Sequence, residues 1–524
     1  MNVELIKADL TDSIKILEMQ KICFAPHLER YHDYDTSPAN SCLERIRWQV
    51  ENENFFKIYS DDIWVGSINI KKQDMETYKL YIINILPEYQ GKKIGQTAIK
   101  LAEAIFTDAK KWMVETIEDM YRERRLYEKL GYKFTGKREK INDKLTVVFY
   151  EKEVNISDKW KYYYANNEDE KNIIDEIVSE YPLKLNPYLI SLLGNSEKIR
   201  RQFLPSPAEA DKSGTKTPFE KGKDAFKIYG LEQVYRDRVL LSLNFECPAY
   251  CRFCYKKNRV MRQRPEMSYE QIDKAISQIE QLVNVRGVLI TGGEPFLSVD
   301  KLFYALEGLA RLKNIHEIRI GTRALLTMPF IFTDEICDKI KKYIFVCPNN
   351  PKLSKSVAFN VHFNHIDELT AESISAISNL VSRGILLRNQ TVLLKGINND
   401  IETIKELFTV LLRNRVIPYY FNHCMPVEGG AHFRCTVECG KRIYNHLCTE
   451  SSTTIPHYVY APAIGKVHIG PDTKIIPDEC NMIKTKTLYR ADEFLAITKN
   501  KTLPLNHNID EEGFVIAQYI DGYD

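Results

Sequence analysis

Six short apolar segments, separated by amphipathic helical patterns, constrain the fold of this chain more than any other feature. In order, they are VLLSLNF, GVLIT, EIRIG, VAFNVHF, NQTVLL and VIPYYFN. Strands that alternate with helices form a parallel sheet, because each helix carries the chain back to the edge where the next strand begins. Six such units predict an incomplete barrel, and we expect its reactive groups at the carboxyl ends of the strands.

Helix starts in the same region carry capping signals. Ser268 and Gln271 have the spacing of a capping box ahead of a periodic apolar run. Thr370 precedes the helical segment AESISAISNLV in the same way. Both signals support the alternation of strands and helices.

The length of 524 residues predicts two or three domains rather than one. Ahead of the barrel, a separate α/β domain is indicated by the strand patterns FFKIYS, DIWVGSINI, KLYIINIL and LTVVFYE, which are interleaved with the helical pattern TAIKLAEAIFTDAKKW. The polar stretch from Ser206 to Asp224 has no helical or strand period and is interpreted as a long loop. We predict a first domain at residues 1–155, a helical approach segment and linker arm at 156–225, the barrel at 226–480 and a C-terminal extension at 481–524.

Charge and hydropathy exclude two classes of partner. Lys and Arg total 73 against 71 Asp and Glu, so the chain lacks the basic field of a nucleic-acid-binding protein. No apolar run approaches the roughly 20 residues that span a bilayer, and the start MNVELIKADL does not have the pattern of a signal peptide. Twelve cysteines are too few for a disulfide scaffold. We therefore expect a cytoplasmic protein.

Three cysteines follow directly on the first predicted barrel strand. They are Cys247, Cys251 and Cys254. Three thiolates without a nearby fourth ligand make an unusual zinc site, because structural zinc takes four protein ligands. On a [4Fe–4S] cluster, the same three thiolates leave one iron free for a substrate or cofactor. A zinc site or structural thiols are the alternative, and the position at a strand end favours the cluster.

The spacing of these cysteines resembles that of the radical S-adenosylmethionine superfamily. A second motif of that superfamily is similar to the segment TGGEP, in which Gly292, Gly293 and Glu294 would hold the methionyl amino group. The resemblance implies S-adenosylmethionine as a cofactor and an electron donor such as flavodoxin or ferredoxin. It also implies that the reduced cluster donates an electron to the sulfonium, which yields methionine and a 5′-deoxyadenosyl radical.

A longer run of segments resembles the lysine 2,3-aminomutase family, in the same order and over about residues 158 to 480. These segments are YRDRVLLSLNFECPAYCRFC, IRIGTR, NVHFNH, RNQTVLLKGIN, VIPYYFN, HFR and PAIGK. The resemblance implies pyridoxal phosphate bound to Lys466, with Arg238 as the anchor of its phosphate and Gln390 as a further cofactor contact. It implies that an α-amino acid is converted to a β-amino acid.

The substrate pocket departs from that family. Where members that act on lysine hold its distal ammonium with two aspartates, this chain has Met425 and Tyr460. A buried ammonium without a carboxylate costs several kcal/mol, so we expect a neutral or aromatic substrate side chain rather than lysine. Glu428 or His423 could compensate, although both are also interpreted as ordinary loop residues.

The position that binds the substrate carboxylate differs as well. The family has an arginine two residues after the last cluster cysteine, and Lys256 stands there. Lysine supplies a point charge without the two-pronged geometry of arginine. Lys257 and Arg259 are alternative partners for that carboxylate.

The amino-terminal region contains a glycine turn between the segment KLYIINIL and a helical pattern. Unpaired N–H groups at such a turn and the helix dipole favour an anion such as phosphate. Gln90, Gly91, Ile94 and Gly95, followed by the segment LYEKLGY with Tyr127, resemble the GNAT acetyltransferase superfamily. The resemblance implies that the turn binds acetyl-CoA and that Tyr127 protonates the departing thiolate.

This site also departs from its family. Lys93 stands where a further glycine is usual, and Met120 and Glu123 replace the common asparagine and alanine. An ordinary strand-to-helix turn and a merely packed Tyr127 are the alternatives.

Three functions remain open from sequence. The first is a bifunctional enzyme, an amino acid 2,3-aminomutase whose product is acetylated by the GNAT domain. The second is radical chemistry on a protein residue, and the third is a GNAT domain that binds CoA without catalysis. The identity of the amino acid, the stereochemistry and the formation of a homo-oligomer are left open.

Overall fold

The computed structural model describes residues 3–74, 77–106, 109–154, 158–216, 226–262, 265–450, 454–462, 464–470, 473, 476–478, 482–498 and 500–523. The chain divides into two compact units. The first is Met1–Ile156 with Asn186–Tyr188, and the second is Ser157–Leu185 with Leu189–Asp524.

The first unit is built on a mixed sheet. Its strands are β1 (Val3–Lys7), β2 (Asn54–Ser60), β3 (Ile63–Lys72), β4 (Thr77–Ile85), β5 (Lys111–Ile117), β6 (Lys133–Asn142) and β7 (Leu145–Glu153). Its helices are α1 (Ser13–Tyr31), α2 (Leu43–Asn52), α3 (Ile94–Ile105) and α4 (Tyr121–Lys129). The strand order is β1-β2-β3-β4-β5-β7-β6. A buried cluster that includes Ile68, Ile70, Ala98, Ile99 and Trp112 joins α3 to the sheet.

Strands β4 and β5 are parallel neighbours that pair over only part of their length. Pairing joins Thr77–Leu80 to Lys111–Val114 and then stops. Beyond these residues the two strands part, which exposes backbone and side chains between them. This gap positions the cavity described below.

The helix predicted over TAIKLAEAIFTDAKKW is too long. Helix α3 ends at Ile105, and Lys111 and Trp112 belong to β5. Trp112 and Val114 are buried, whereas Lys111 and Met113 are only half-buried, so burial alternates with the period of a strand. The expectation of one helix through Trp112 is wrong, because two adjoining patterns were joined.

The second unit has the following helices and strands. Its helices are α5 (Asp158–Lys161), α6 (Glu168–Glu180), α7 (Pro187–Leu192), α8 (Glu197–Phe203), α9 (Tyr269–Gln281), α10 (Val299–Arg311), α11 (Ala324–Thr327), α12 (Asp334–Lys341), α13 (Ala371–Ser382), α14 (Ile401–Arg413), α15 (Val437–Glu450) and α16 (Ala491–Thr498). Its strands are β8 (Leu231–Tyr235), β9 (Arg238–Asn244), β10 (Gly287–Gly292), β11 (Glu317–Gly321), β12 (Ser356–Val361), β13 (Leu386–Leu393), β14 (Val416–His423), β15 (His457–Tyr460), β16 (Val467–His468), β17 (Ile476–Asp478), β18 (Met482–Arg490), β19 (His507–Ile509) and β20 (Phe514–Ile520).

The incomplete barrel expected from the sequence is confirmed. Strands β9 to β14 are the six predicted segments, and each is parallel to the next. Strand β15 adds a seventh parallel strand, and β8 and β16 pair antiparallel at the two edges. The capping box of Ser268 with Gln271 and the cap of Thr370 are both present. The carboxyl ends of the parallel strands therefore meet at one face.

The predicted polar loop is partly ordered as a turn. Ser206 caps a short 3-10 turn at Pro207–Ala210, and Thr215 forms a bridge with Val427. Residues 217–224 of this loop lie outside the described residues.

A small antiparallel sheet follows the barrel, and the sequence patterns did not predict it. Its strand order is β17-β18-β20-β19, and α16 packs against it. Ile464 of the barrel joins its core, which includes Phe494 and Val515.

The length and hydropathy of a helix decide whether it could cross a membrane. The longest helix among the described residues is α1, whose 19 residues contain several charged side chains. Within the described ranges, no helix is both long enough and apolar enough to cross a membrane.

Candidate active sites

The loop that follows β9 carries three half-buried thiols, those of Cys247, Cys251 and Cys254. Burial raises the pKa of Cys254 to about 11, and the neighbouring Cys251 adds to that effect. Burial, Cys254 and Cys251 together raise the pKa of Cys247. The three thiols therefore share one local environment.

The donor set fits a cluster better than a single ion. In the part of the chain that the structure describes, no three His, Cys, Asp or Glu side chains are grouped so as to hold one metal ion. An iron–sulfur cube binds each thiolate at a different iron and so spreads its ligands more widely. Three thiols on one loop match that requirement.

Arg323 supports this loop from the end of β11. Its Nη1 donates to Cys251 Sγ at 2.9 Å, and its Nη2 donates to Gln202 Oε1 at 2.6 Å and Glu368 Oε2 at 3.2 Å. A guanidinium at this distance stabilises a thiolate.

Glu294 is buried and held by the chain itself. Its carboxylate accepts hydrogen bonds from Thr322 Oγ1 at 2.7 Å, Arg323 N at 2.9 Å and Phe296 N at 3.2 Å. Burial raises the pKa of Glu294 to about 7. The side chain thus orders the turn that carries the second motif.

The two glycines of that motif are required by close backbone contacts. A Cβ at Gly292 would lie 2.1 Å from Asn244 O, and one at Gly293 would lie 2.0 Å from Glu246 O. The resemblance to the radical S-adenosylmethionine superfamily implies that these glycines help to hold the methionyl amino group of the cofactor. The structure gives strand packing as a sufficient reason for both.

A cavity of about 150 Å³, lined by residues of strands β9 to β14, brings several predicted residues together. They are Lys466, Arg238, Gln390, Lys256 and Gly292. Arg319 and Tyr420, which the sequence analysis did not identify, line the same cavity. Parallel strands and the loops behind them thus converge on one polar site.

Lys466 lines this cavity. Its Nζ lies 3.2 Å from the centroid of the Tyr420 ring. Burial lowers the pKa of Lys466 to about 7, and the charges of Arg238 and Arg319 add to the shift. A lysine that must react as a neutral amine needs such a pKa.

The backbone of Lys466 is also held. Its N–H donates to Tyr235 Oη at 3.2 Å, and Tyr489 Oη donates to its carbonyl oxygen at 2.8 Å. Gly465 has a φ of 128°, and a Cβ there would lie 2.7 Å from Tyr489 Oη. Tyr489 thus packs tightly against the lysine loop.

The cavity fits a phosphate-bearing aldehyde. Arg238 Nε is buried and has no hydrogen-bond partner among the described residues. Arg319 shares the carboxylate of Glu317 with Arg388, at 2.5 and 2.7 Å. A guanidinium with an unpaired Nε beside a lysine amine of lowered pKa would hold the phosphate and the carbonyl carbon of pyridoxal phosphate.

The three cationic residues considered as partners of the substrate carboxylate have different surroundings. Lys256 Nζ lies in the cavity and donates to Thr291 Oγ1 at 2.9 Å and Gly292 O at 3.1 Å. Arg259 also lines the cavity but is paired with Glu232. Lys257 does not line it and is fully buried elsewhere, so its interpretation as an alternative partner is wrong.

The two residues predicted at the side-chain pocket lie outside the set that lines this cavity. Tyr460 is buried and stacks on His423, with ring centroids 5.1 Å apart. Met425 is half-buried on the loop after β14. Burial lowers the pKa of His423 to about 3, so this side chain carries no charge at neutral pH.

The amino-terminal unit has a larger cavity, of about 960 Å³, at the gap between β4 and β5. The predicted residues Gln90, Gly91, Ile94, Gly95 and Tyr127 all line it. The first N–H groups of α3 begin at Ile94 and have no acceptor within the helix. The cavity therefore contains the turn at which the sequence predicts anion binding.

The departure at Lys93 has a conformational cost. Its φ is 64°, in the left-handed region that glycine favours, as is the φ of 79° at Gly91. A lysine there costs roughly 1 kcal/mol.

Tyr127 lies on α4 with its side chain buried. Its ring packs edge-on against Tyr132, with centroids 5.9 Å apart. Burial raises the pKa of Tyr127, and Glu123 raises it further. The hydroxyl therefore keeps its proton at neutral pH.

Two comparisons with protein families cover both units. Residues 241–408 match the Radical SAM superfamily, and residues 16–132 match the Acetyltransferase (GNAT) family.

Individual relatives match the C-terminal part of the chain, which contains the Radical SAM region, over a longer span. A putative L-lysine 2,3-aminomutase of Aquifex aeolicus is 37% identical over 296 residues, which is 55% of this chain and 76% of the relative. The L-lysine 2,3-aminomutase of Methanococcus maripaludis is 33% identical over 316 residues, covering 58% and 70%. The glutamate 2,3-aminomutase of Clostridioides difficile is 33% identical over 315 residues, covering 59% and 71%.

Proposed function

Because the chain belongs to the lysine 2,3-aminomutase family and carries a GNAT domain, we propose a bifunctional enzyme that moves the amino group of an amino acid other than lysine and then acetylates the product. The observation that carries the first half is the cavity in which Lys466, with a pKa of about 7, meets Arg238 and Lys256. The protein is an isomerase of the radical type together with an N-acetyltransferase.

When bound, the cluster with S-adenosylmethionine supplies a radical, and pyridoxal phosphate supplies a conjugated ring that stabilises the substrate radical. Lys466 would hold the cofactor through its neutral amine. Arg238 would anchor the phosphate, and Lys256 would neutralise the substrate carboxylate. An electron donor of the flavodoxin or ferredoxin class supplies the electron, in a reducing compartment such as the cytoplasm.

The charges of the cavity disfavour a cationic substrate side chain. Among the described residues that line it, the acidic side chain is Glu232, and Arg259 already pairs with it. Arg238 and Lys256 are balanced by one phosphate and one carboxylate. No acid for a distal ammonium is left among these residues, and Arg319 adds positive charge because it shares the carboxylate of Glu317 with Arg388.

We expect L-lysine to be a poor substrate, with kcat/KM at least about 100-fold below that of the best neutral amino acid. The reason is that an unpaired ammonium in this cavity costs several kcal/mol, more than its aliphatic stem returns on burial. Lysine, glutamate, leucine, phenylalanine and tyrosine would be incubated anaerobically with the reconstituted enzyme and S-adenosylmethionine, and β-amino acids measured by mass spectrometry. Efficient formation of β-lysine would show that the charge argument is wrong.

The same incubation separates a free amino acid from a protein residue as the substrate. If no amino acid in the panel reacts but a residue of an added protein changes, the alternative of protein modification holds. Intact-protein and free-metabolite mass spectra from one sample make the distinction.

For the GNAT unit, we expect Tyr127→Phe to lower acetyl transfer to the β-amino acid product about 100-fold, because the thiolate loses its proton donor. Release of CoA would be followed with a thiol reagent, and binding of CoA by calorimetry should be unchanged. Tyr132→Phe, which removes a buried hydroxyl outside the cavity lining, is the matched control. A wild-type protein that binds CoA but acetylates no amine would support the non-catalytic alternative.

A further inference from the structure

A group of fully buried charges lies beside the cysteine loop. It consists of Glu209, Arg252 and Lys257, each with a side chain that is 0% exposed, and we call it the buried triad. Arg252 forms a fork on the carboxylate, with Nε 2.8 Å from Oε1 and Nη2 2.7 Å from Oε2 of Glu209. Lys257 Nζ lies 3.3 Å from Oε2 of the same carboxylate.

Both cations of the buried triad belong to the loop that carries the cysteines. Arg252 follows Cys251 directly, and the Lys257 N–H donates to Cys254 O at 3.1 Å. Lys257 Nζ also reaches back to Arg252 O at 3.3 Å. The ammonium is therefore packed against the backbone that connects two of the three cysteines.

The hydrogen bonds of Lys257 are those of an ammonium. Its Nζ has three acceptors, namely Glu209 Oε2, Arg252 O and Gly429 O, the last at 3.2 Å. A neutral amine has only two protons to donate, whereas an ammonium has three. The Tyr181 ring, with its centroid 4.1 Å from Nζ, covers the same cation.

The buried triad carries one positive charge in excess. Two cations face one carboxylate, and the adjacent His432 is neutral because burial lowers its pKa to about 4. An uncompensated buried charge costs several kcal/mol, so this site requires a nearby anion. The negative charge of three thiolates exceeds the positive charge of an oxidised [4Fe–4S] core. The assembled cluster therefore has a net negative charge and supplies this anion.

We propose that Lys257 sets the reduction potential of the cluster by leaving one buried positive charge beside it, an inference that rests on the proposed radical function. On reduction, the cluster accepts one electron from an external one-electron reductant, and no bond forms or breaks. The cluster becomes more negative by one charge. A fixed cation nearby stabilises the reduced form more than the oxidised form, so it raises the potential.

Four variants of the full-length protein test how the net charge of the buried triad affects the cluster. Lys257→Met leaves a neutral pair of Glu209 and Arg252, and Glu209→Gln raises the excess to two. Lys257→Met combined with Glu209→Gln restores an excess of one, and Lys257→Arg keeps the charge with a different shape. If Lys257 had only a structural role, the double variant would not recover the reduction potential of the wild type.

The reconstituted proteins would be titrated anaerobically with dithionite, and the reduced cluster measured by electron paramagnetic resonance. We expect Lys257→Met to lower the equilibrium constant for reduction at least about tenfold, which is ~59 mV for one electron. Glu209→Gln should raise the potential, and the double variant and Lys257→Arg should lie near wild type. If Lys257→Met fails to load a cluster, Glu209→Gln tests the same charge effect with the opposite sign.

Two outcomes are distinguishable. If the cluster-loaded variants have equal reduction potentials, or if the double variant has the potential of Lys257→Met, the proposed role of Lys257 is wrong. The proposed radical function would not be affected by either result. A wild-type protein that binds no iron and sulfide after reconstitution would instead overturn the proposed function.

Discussion

Replacing Cys251 with alanine is expected to abolish the [4Fe–4S] cluster and all cleavage of S-adenosylmethionine. Without Cys251, the cluster loses one of its three thiolate ligands. Two irons then lack a protein ligand, so the iron that binds the cofactor is no longer unique. The same change removes the acceptor of the Arg323 hydrogen bond, which leaves a buried guanidinium with one partner fewer. Iron and sulfide content, visible absorption and formation of 5′-deoxyadenosine would each be measured.

The matched control is Cys337→Ala. Cys337 is fully buried on α12 and belongs to the hydrophobic core, so its loss tests thiol removal without loss of a ligand. We expect normal cluster content in the control. A Cys251→Ala protein that kept its cluster and cleaved S-adenosylmethionine at the normal rate would contradict the assignment of this loop.

Lys466→Ala is expected to abolish covalent attachment of pyridoxal phosphate. In the wild type, borohydride should fix the cofactor on Lys466, which peptide mapping would identify. Attachment requires the neutral amine, whose fraction rises as the pH increases through a pKa of about 7. Attachment should therefore be strong above pH 7 and weaken below it, whereas an ordinary lysine would remain charged until about pH 10.

Lys466→Arg and Lys313→Ala complete this experiment. The arginine keeps a cation in the cavity but cannot react, and Lys313 is exposed on the surface. Label on another lysine, or on none in a protein loaded with pyridoxal phosphate, would refute the role of Lys466.

The fold could be predicted where apolar segments are long and separate. Strands β9 to β14 met that condition, since each is a contiguous apolar run between helical patterns. Strand β15 did not, because His457–Tyr460 is only four residues long. Helix α3 and strand β5 follow each other closely in sequence, so a helical pattern was extended too far. Local periodicity does not fix the boundary between adjoining elements.

The candidate sites show a similar limit. Lys466 and Arg238 could be named from motifs, and the structure brings them into one cavity. Arg319 and Tyr420 come from other strands, and only the strand order shows that they adjoin Lys466. Lys257 was misassigned because its partner, Glu209, lies 48 residues earlier in the chain. No local pattern reports a contact between residues so far apart.

The hydrogen bond from Tyr489 to the carbonyl of Lys466 spans 23 residues and has a consequence for biosynthesis. A ribosome adds Tyr489 after the barrel, and β18, which carries it, pairs with the still later β20. The lysine loop therefore reaches its final form only when this small sheet has been synthesised and folded. We therefore expect that the cofactor loads fully only after the sheet is complete, and that a nascent barrel takes up pyridoxal phosphate poorly while β18 and β20 are still missing.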